Sequence, residues 1–277
     1  MASESYGKIP ISVLIMTRNE ARRIERCLAA LSDFNEIVVV DSSSADATKI
    51  LSEVAGAKVV NFVWDGRYPK KRQWCLGNLS LAHDWVFFVD ADEIITPELI
   101  QEIRALDFKA TGYFIRGRYI FEGAALRRGL RNNKLALIDR RKIEFPVIDD
   151  IGAPGMGEIE GHYQPVLKKE CAGAIGQLKN ELLHDAYDNA ASWRERHARY
   201  AAWEIEMDRR KAWPQEPRRT RKVLKAIFKL SPARSLVAFA HCYILKLGFL
   251  DGGRGFRFAK SRYDYYQMIS SASKRAA

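Results

Sequence analysis

The feature that most constrains the fold of this chain is a repeat of four short apolar segments, each followed by a polar loop and then by helical spacing. The apolar segments cover residues 12–16, 37–40, 58–63 and 85–89. They are almost continuously apolar, which is typical of strands that a sheet buries on both faces. The repeat predicts an α/β fold, with a mostly parallel sheet flanked by helices.

The rest of the chain predicts further strands and a helical end. Residues 112–121 and 134–139 are expected to extend the sheet, and 145–163 form a long loop that contains several Gly, Pro and acidic residues. Helical spacing returns at 189–212 and at 218–230. In the second of these helices the apolar and basic side chains take opposite faces, so it is predicted to be a basic amphipathic helix.

Positive charge is concentrated in this helical end. Residues 193–277 hold 20 basic and 7 acidic side chains, whereas the preceding residues hold 25 and 27. A nearly neutral body with a basic, aromatic-rich end suggests attachment to an anionic surface rather than binding of nucleic acid. We therefore expect a sheet domain at residues 1–188 and a helical, basic region at 189–277.

Composition excludes several classes of protein. Apolar residues make up 47% and charged residues 29% of the chain, which are values of folded rather than disordered or fibrous proteins. No run of about 18 apolar residues occurs, and the first 20 residues do not resemble a secretion signal. The four cysteines are widely separated, which is typical of buried thiols in a reducing compartment. We expect a cytoplasmic protein.

Polar residues follow each of the four predicted strands. Loops after parallel strands meet at one edge of the sheet, and α/β proteins bind their ligands at this edge. The rule brings together residues 17–20, 41–44, 64–72 and 90–93. The sequence therefore predicts a ligand site that is rich in carboxylates and hydroxyls.

The sharpest element of this site is Asp90-Ala91-Asp92, which ends an apolar strand. Two carboxylates separated by one residue can hold a divalent cation and a ribose hydroxyl, and Mg²⁺ or Mn²⁺ bound with phosphates needs only one or two protein carboxylates. A solvated acidic loop is the alternative. The position after a buried strand favours a ligand site, because desolvated carboxylates are costly without compensation.

Two further groups of residues have both a functional and a structural interpretation. Asp41 and the serines at 42–44 can bind a base or a ribose, or the residues around Ser44 can cap the next helix. Lys70, Lys71 and Arg72 can bind a diphosphate together with the positive end of a helix, or they can form a solvated charge run.

Several segments resemble family 2 glycosyltransferases. Residues 11–20 (ISVLIMTRNE), 37–48 (IVVVDSSSADAT) and 85–93 (WVFFVDADE) resemble the nucleotide-sugar-binding half of that family. Residues 112–121 and 246–252 (KLGFLDG) resemble its lipopolysaccharide-core β-glycosyltransferase branch. The resemblance implies a GT-A fold, an inverting transfer from a nucleoside-diphosphate sugar such as a UDP-sugar, and Mg²⁺ or Mn²⁺ as cofactor.

The same resemblance implies roles for individual residues. Asp41 would contact the base, Asp90 the ribose and Asp92 the metal. The implied donor-binding residues are Thr17, Asn19, Glu20, Asp41, Lys71, Arg72, Asp90 and Ala91. His184, in an L-x-H-x-x-Y element of the family, is a second candidate metal ligand, with a structural histidine as the alternative.

The general base and the acceptor site are implied less directly. Related sequences carry a Val-His-Glu element, and this chain departs from it with Val147-Ile148-Asp149-Asp150 in the corresponding region. We expect Asp150 to be the base, with Asp149 as the second candidate. Glu158 and His162, in the segment EIEGHYQP, are expected to line the acceptor site.

The expected acceptor is a glycolipid or oligosaccharide, reached from the inner face of the cytoplasmic membrane through the basic helical region. A sugar-phosphate nucleotidyltransferase is an alternative, but it would ordinarily carry a Gly-rich loop in place of residues 17–20. A non-catalytic basic protein that binds membranes or RNA is a second alternative. Steep salt dependence without sugar turnover would identify RNA binding.

Overall fold

The computed structural model describes residues 7–214 and 219–276. Its strands are β1 (Ile9–Thr17), β2 (Phe34–Asp41), β3 (Lys58–Asn61), β4 (Trp85–Asp90), β5 (Glu93–Ile94), β6 (Gly112–Phe121), β7 (Ala124–Ala125), β8 (Asn132–Asp139), β9 (Ile143–Glu144), β10 (Val166–Leu167) and β11 (Ile175–His184). Its helices are α1 (Ile24–Ala29), α2 (Thr48–Val54), α3 (Lys71–Asn78), α4 (Pro97–Arg104), α5 (Ala190–Arg210), α6 (Arg219–Leu230), α7 (Arg234–Ala240) and α8 (Gly252–Ala276). A π-helical segment, His241–Leu245, continues α7, and a 3₁₀ segment, Gly248–Asp251, precedes α8.

The strands form one central sheet with the order β3-β2-β1-β4-β8-β6-β11-β5, and β7 pairs with β6. Strands β1 to β4, β6 and β11 run in one direction, whereas β8 and β5 are antiparallel to their neighbours. A separate two-stranded ribbon joins β9 and β10. The predicted α/β class, a mostly parallel sheet flanked by helices with a helical C-terminal region, is confirmed.

Alternate side chains of β1 pack into two different cores, as the period of two in a strand requires. Val13 and Ile15 pack on the face covered by α1 and α4. Leu14 and Met16 pack on the other face with residues of α3 and α5. Trp203 of α5 is fully buried in this second core. The helical region is therefore joined to the sheet by a shared core.

The later elements differ most from the sequence prediction. The four predicted β–α units appear as β1 to α4, and β6 has the predicted bounds. Strand β11 was not predicted, because only Leu178 and Leu182 along it are buried and its polar residues hide the strand pattern. It pairs in parallel with β6 and in antiparallel with β5. This pairing carries the end of β11 to the loop after β4.

Helix α6 is amphipathic as predicted, and its apolar side chains are open to solvent. Val223, Leu224 and Ile227 are 57%, 66% and 62% exposed. Among the described residues, no single helix is long and apolar enough to cross a membrane. The segments 234–245 and 248–272, bent by 71° at the break between them, meet the length and composition criteria only as a pair.

Candidate active site

A cavity of about 660 Å³ lies at the carboxyl ends of β1 and β4, between the sheet and the helices α5 and α8. The loop at residues 156–165 contributes to its wall. The predicted site residues that line it are Thr17, Glu20, Lys71, Arg72, Asp90, Ala91, Asp92, Glu158, His162 and His184. Those that do not line it are Asn19, Asp41, Asp149 and Asp150. The structure thus assembles most of the predicted donor residues and neither predicted base.

The loops after β1 and β2 are fixed to each other by polar side chains. The hydroxyl of Thr17 donates to Asp41 Oδ1 at 3.0 Å, and the backbone N–H of Ser44 donates to Asp41 Oδ2 at 2.8 Å. Asn19 has a left-handed backbone (φ 57°), and its side-chain oxygen accepts the N–H of Ala45 at 2.8 Å. Asp41 is fully buried. Asp41 therefore shapes these loops, and its expected contact with a base stays a prediction.

Lys71 ties the same loops to the start of α3. Its Nζ donates to the carbonyl oxygen of Thr17 at 3.0 Å and to Ser42 Oγ at 2.6 Å. Burial lowers the pKa of Lys71 to about 8, against the opposing charge of Glu158. Lys70 and Lys71 are each 1% exposed. These two lysines are therefore buried structural cations and do not form a solvated charge run.

The N-terminus of α3 is occupied by protein oxygens. The carboxylate of Glu160 accepts the backbone N–H groups of Arg72 and Gln73 at 3.0 and 2.9 Å. The carbonyl oxygen of Glu158 accepts the N–H of Lys71 at 2.9 Å. Burial raises the pKa of Glu160, although these donors act in the other direction. The expectation that a diphosphate binds at the positive end of this helix is corrected, because Glu160 already satisfies the donors there.

Asp90 lies between two cations. Its Oδ1 accepts from Arg72 at 3.0 Å, and its Oδ2 accepts from Lys134 at 3.0 Å. Lys134 also donates to Glu93 at 2.5 Å. Although burial opposes ionisation, Lys134 and then Arg72 lower the pKa of Asp90. Asp90 is therefore an ionised carboxylate whose charge the protein compensates, and 31% of its side chain is open to the cavity.

Asp92 lies beside His184 because β11 ends there, with His184 paired to Glu93 in β5. His184 Nε2 is 3.4 Å from Asp92 Oδ2. Burial opposes both charges, yet the carboxylate raises the pKa of His184 and the imidazole lowers the pKa of Asp92. Burial, and then the charge of Asp92, raise the pKa of Glu20.

Two buried atoms of this pair have no partner. Asp92 Oδ1 and His184 Nδ1 lack a hydrogen bond to any residue of the described chain. An unsatisfied buried carboxylate oxygen is costly unless a donor or a cation compensates it. No cluster of three or more His, Cys, Asp or Glu suited to a metal occurs within residues 7–214 and 219–276. A cation at this pair would therefore need further ligands from a substrate or from water.

Neither predicted general base is at the cavity. Asp150 is 2% exposed; one of its oxygens accepts the Tyr68 hydroxyl, and the other is 2.6 Å from Lys70 Nζ. Asp149 has 74% of its side chain exposed and lies 3.3 Å from Arg210. This placement favours neither Asp150 nor Asp149 as the base. Asp150 belongs to a buried ion pair, and Asp149 to a surface one.

The second wall of the cavity comes from the helical region. It carries Arg196 and Tyr200 of α5 and Arg262 of α8. The ring of His162 meets that of Tyr200 edge-on, with 4.7 Å between their centroids. The surrounding protein, and then the positive charges of Arg262 and Arg72, lower the pKa of His162 to about 4. His162 is therefore neutral near pH 7, and no described residue forms a hydrogen bond to its ring.

Four functional residues received no role in the sequence analysis. Lys134 lies in a predicted strand, where the sequence pattern predicts an ordinary lysine on the protein surface. Glu93 and Glu160 lie in acidic segments, and the spacing of these acids does not show which of them forms buried hydrogen bonds or ion pairs. Arg262 lies in α8, which was not predicted. Contacts distant in sequence define all four, so the spacing of neighbouring residues carries no signal for them.

The chain belongs to the glycosyltransferases of family 2. The model of Glycosyl transferase family 2 matches residues 12–163, which is more than half of the chain. The matched region contains β1 to β4 and the Asp90-Ala91-Asp92 element.

Similar proteins include two glycosyltransferases. An uncharacterised glycosyltransferase of Rickettsia bellii is 42% identical over 94 residues, which cover 34% of this chain and 31% of that protein. The lipopolysaccharide core biosynthesis glycosyltransferase LpsC of Rhizobium meliloti is 32% identical over 139 residues, covering 45% of this chain and 50% of that protein. The chain thus spans 31% and 50% of the length of these two relatives.

A solved structure with a partial likeness is glucosyl-3-phosphoglycerate synthase from Mycobacterium tuberculosis, in complex with Mn²⁺, UDP and glucosyl-3-phosphoglycerate. It is 27% identical, with a TM-score of 0.31, over 40% of this chain and 44% of that chain.

Proposed function

We propose that this chain is an inverting glycosyltransferase that moves a hexose-type sugar from a nucleoside-diphosphate donor to a hydroxyl of a lipopolysaccharide-core or lipid-linked saccharide. The observation that carries the proposal is the Asp92–His184 pair, which shares a cavity with Asp90 and Arg72. Asp90, whose charge Arg72 and Lys134 compensate, can accept a hydrogen bond from a ribose hydroxyl. Asp92, whose Oδ1 has no partner among the described residues, can bind a cation that also binds the diphosphate of such a donor. The similarity to LpsC supports this class of acceptor.

A UDP-sugar is the first donor to test. Its nucleoside would lie at the loops after β1 and β4, near Thr17 and Glu20, and a ribose hydroxyl would donate to Asp90. The guanidinium of Arg72 lines the same cavity and can pair with a diphosphate oxygen. Asn19 acts indirectly in this arrangement, because it fixes the loop that the nucleoside contacts.

Asp92 and His184 would hold a divalent cation, Mg²⁺ or Mn²⁺, and their unpartnered Oδ1 and Nδ1 fit this role. A bound cation would stabilise the negative charge that develops on the leaving diphosphate. Two protein ligands suffice for a hard cation that also takes oxygens from phosphate and water. Arg72 would add a fixed positive charge at the same side of the sugar.

His162 is our candidate for the group that takes the proton of the acceptor hydroxyl. It faces the cavity from the wall that it shares with Tyr200, and its neutral ring can accept a proton. A base on the face of the sugar opposite to the diphosphate gives a single displacement, and the configuration at the anomeric carbon is then inverted. Such general-base catalysis typically contributes about 10²- to 10⁴-fold to the rate.

The test is a donor screen in which the release of nucleoside diphosphate is followed with Mn²⁺ or Mg²⁺ and with lipid-extracted acceptors. Asp92→Asn should lower both the affinity for Mn²⁺, measured by calorimetry, and the metal-dependent turnover by at least tenfold. Asp149→Asn is the matched control, since it removes an acid outside the cavity. Full turnover of Asp92→Asn, or equal turnover with a chelator present, would contradict the metal assignment.

We further propose that the chain docks on the inner face of the cytoplasmic membrane. Helix α6 carries five Lys and Arg and no acidic residue. Its apolar side chains Val223, Leu224 and Ile227 are exposed, as are Leu236 of α7 and Leu245 of the π-helical segment. Exposed apolar groups beside basic ones match the interface of an anionic bilayer, where each nearby cation adds about 1 kcal/mol.

Sedimentation with vesicles tests this docking. The chain should bind phosphatidylcholine vesicles that contain phosphatidylglycerol and should not bind pure phosphatidylcholine. Replacing Leu224 and Ile227 by Gln should weaken binding at least tenfold. Val54→Gln is the control, because Val54 is 81% exposed on the distant helix α2. Equal binding to both kinds of vesicle, or undiminished binding of the double variant, would contradict the proposal.

A further inference from the structure

Two arginines on the helical wall of the cavity have no carboxylate partner. Arg262 Nε is buried without a hydrogen bond, and its guanidinium lies 5.0 and 5.7 Å from the ring centroids of Phe258 and Tyr119. Arg196 donates to the carbonyl oxygen of Ala186. Within residues 7–214 and 219–276, neither arginine forms an ion pair.

The cations on the sheet side of the cavity are compensated. Arg72 lies 3.0 Å from Asp90, and Lys134 lies 3.0 Å from Asp90 and 2.5 Å from Glu93. Arg196 and Arg262 are half-buried, and a half-buried arginine without an anion carries an uncompensated charge whose cost contacts with aromatic rings offset only in part. On the helical wall, the acid that lines the cavity, Glu204, accepts the Tyr265 hydroxyl and pairs with neither arginine. Arg196 and Arg262 therefore have no compensating carboxylate among the described residues of this wall.

The pKa values of the neighbouring His162 and His197 are consistent with an excess of positive charge at this wall. Burial, and then the charge of Arg262, lower the pKa of His162 to about 4 and that of His197 to about 3. Both imidazoles are consequently neutral near pH 7. On this wall Arg196 and Arg262 thus lie near neutral imidazoles and have no ion-pair partner in the described part of the chain.

Arg262 is also close to the site of sugar transfer. The ring of Tyr119, which it covers, is stacked on His184 with 5.2 Å between the ring centroids. His184 in turn lies 3.4 Å from Asp92. An anion bound to Arg262 would therefore be only about one aromatic ring away from the Asp92–His184 pair.

We propose that Arg196 and Arg262 form a subsite for a phosphate or carboxylate group of the acceptor. The proposal rests on the proposed glycosyl transfer and narrows its acceptors to saccharides that carry a negative charge near the receiving hydroxyl. A guanidinium binds either group through paired N–H donors, which gives orientation as well as affinity.

Inorganic phosphate is the probe for this subsite. Its affinity would be measured for the full chain by ³¹P NMR and by the shift in Tm, with UDP and the diamagnetic Mg²⁺ present at saturation to fill the donor site. Arg262→Met should weaken phosphate binding at least tenfold and leave UDP affinity within threefold of the wild type. Arg257→Met is the matched control on α8, because Arg257 does not line the cavity and pairs with Glu122 at 2.8 Å. It should change neither affinity.

Three results would overturn the subsite. Phosphate that binds equally well to the wild type and to Arg262→Met, or that does not bind the wild type, would refute it. A tenfold loss of UDP affinity in Arg262→Met would instead assign the arginines to the donor diphosphate. Failure of UDP to bind the wild type would count against the proposed function, whereas a loss of phosphate binding in Arg262→Met but not in Arg257→Met tests the arginine subsite alone.

Discussion

Replacing Asp150 by Asn separates a structural role of this acid from a catalytic one. Asp150 and Lys70 form an ion pair at 2.6 Å, and their side chains are 0% and 1% exposed. Removing one partner of such a pair leaves a buried charge without compensation and costs about 3–5 kcal/mol. One kcal/mol shifts the Tm of a chain of this size by about 2–4 °C, so the expected decrease is about 6–20 °C.

Differential scanning calorimetry measures this change directly. The double variant Lys70→Met with Asp150→Leu removes both charges and should recover most of the lost stability. Asp149→Asn is the control, since its pair with Arg210 is 74% exposed on the acid side and such pairs contribute about 0–1 kcal/mol. Turnover of Asp150→Asn, measured well below its Tm, should stay within about threefold of the wild type, because Asp150 does not line the cavity.

The opposite pattern would refute this reasoning. If Asp150→Asn kept its Tm within about 2 °C and lost turnover by about 10²-fold or more, Asp150 would be the proton acceptor. The cavity would then have to open toward Lys70 when substrate binds, and the assignment of His162 would be wrong.

Three further predictions concern the sheet side and the mouth of the cavity. The free energy of unfolding should rise from about pH 8 to about pH 10.5 by about 3 kcal/mol from Lys71, because there the unfolded chain binds the proton that the folded chain has lost. Lys71→Met should lack this rise in urea titrations, and an unchanged rise would contradict the lowered pKa. Glu160→Gln should destabilise the chain by about 1.5–3 kcal/mol, since two N–H groups of α3 lose a charged acceptor; unchanged stability would argue against this cap. His162→Gln should lower kcat by about 10²- to 10⁴-fold at unchanged UDP affinity, and a parallel loss of UDP affinity would assign it to the donor.

The first half of the fold could be predicted because its information is local. Strands β1, β2 and β4 are largely buried, so each forms an apolar run, and the edge strand β3 still shows its half-buried Val59 and Val60. Each loop that follows is visible as a polar interruption. The Asp90-Ala91-Asp92 element lies at the carboxyl end of β4, so the prediction of this strand also places the element. The rule for parallel sheets then brings distant loops to one edge without any knowledge of packing.

The remainder depends on pairings that the sequence does not encode locally. Asp150 and Glu160 are both acids in one loop, and only the structure shows that one meets Lys70 while the other caps α3. The three basic residues 70–72 likewise have different partners. Lys70 pairs with Asp150, and Arg72 pairs with Asp90. Lys71 donates to Thr17 and Ser42. Helix α8 carries its apolar residues too sparsely for its periodicity to be predicted, so Arg262 could not be placed near the site.

Arg72 and Lys134 are paired with Asp90, whereas Arg262 has no ion pair within the described residues. This difference links binding of the acceptor to proton transfer. Burial, and then the charges of Arg262 and Arg72, lower the pKa of His162, and Tyr200 and Trp203, whose rings also contact it, bring no ionised group at neutral pH. An acceptor that brings an anion to Arg262 would remove the contribution of that charge and raise the pKa of His162. The base would then become effective only when the acceptor is present, and water would attack the donor slowly. Hydrolysis of a UDP-sugar should therefore accelerate when inorganic phosphate is added to the wild type but not to Arg262→Met; equal hydrolysis with and without phosphate would show that the two events are independent.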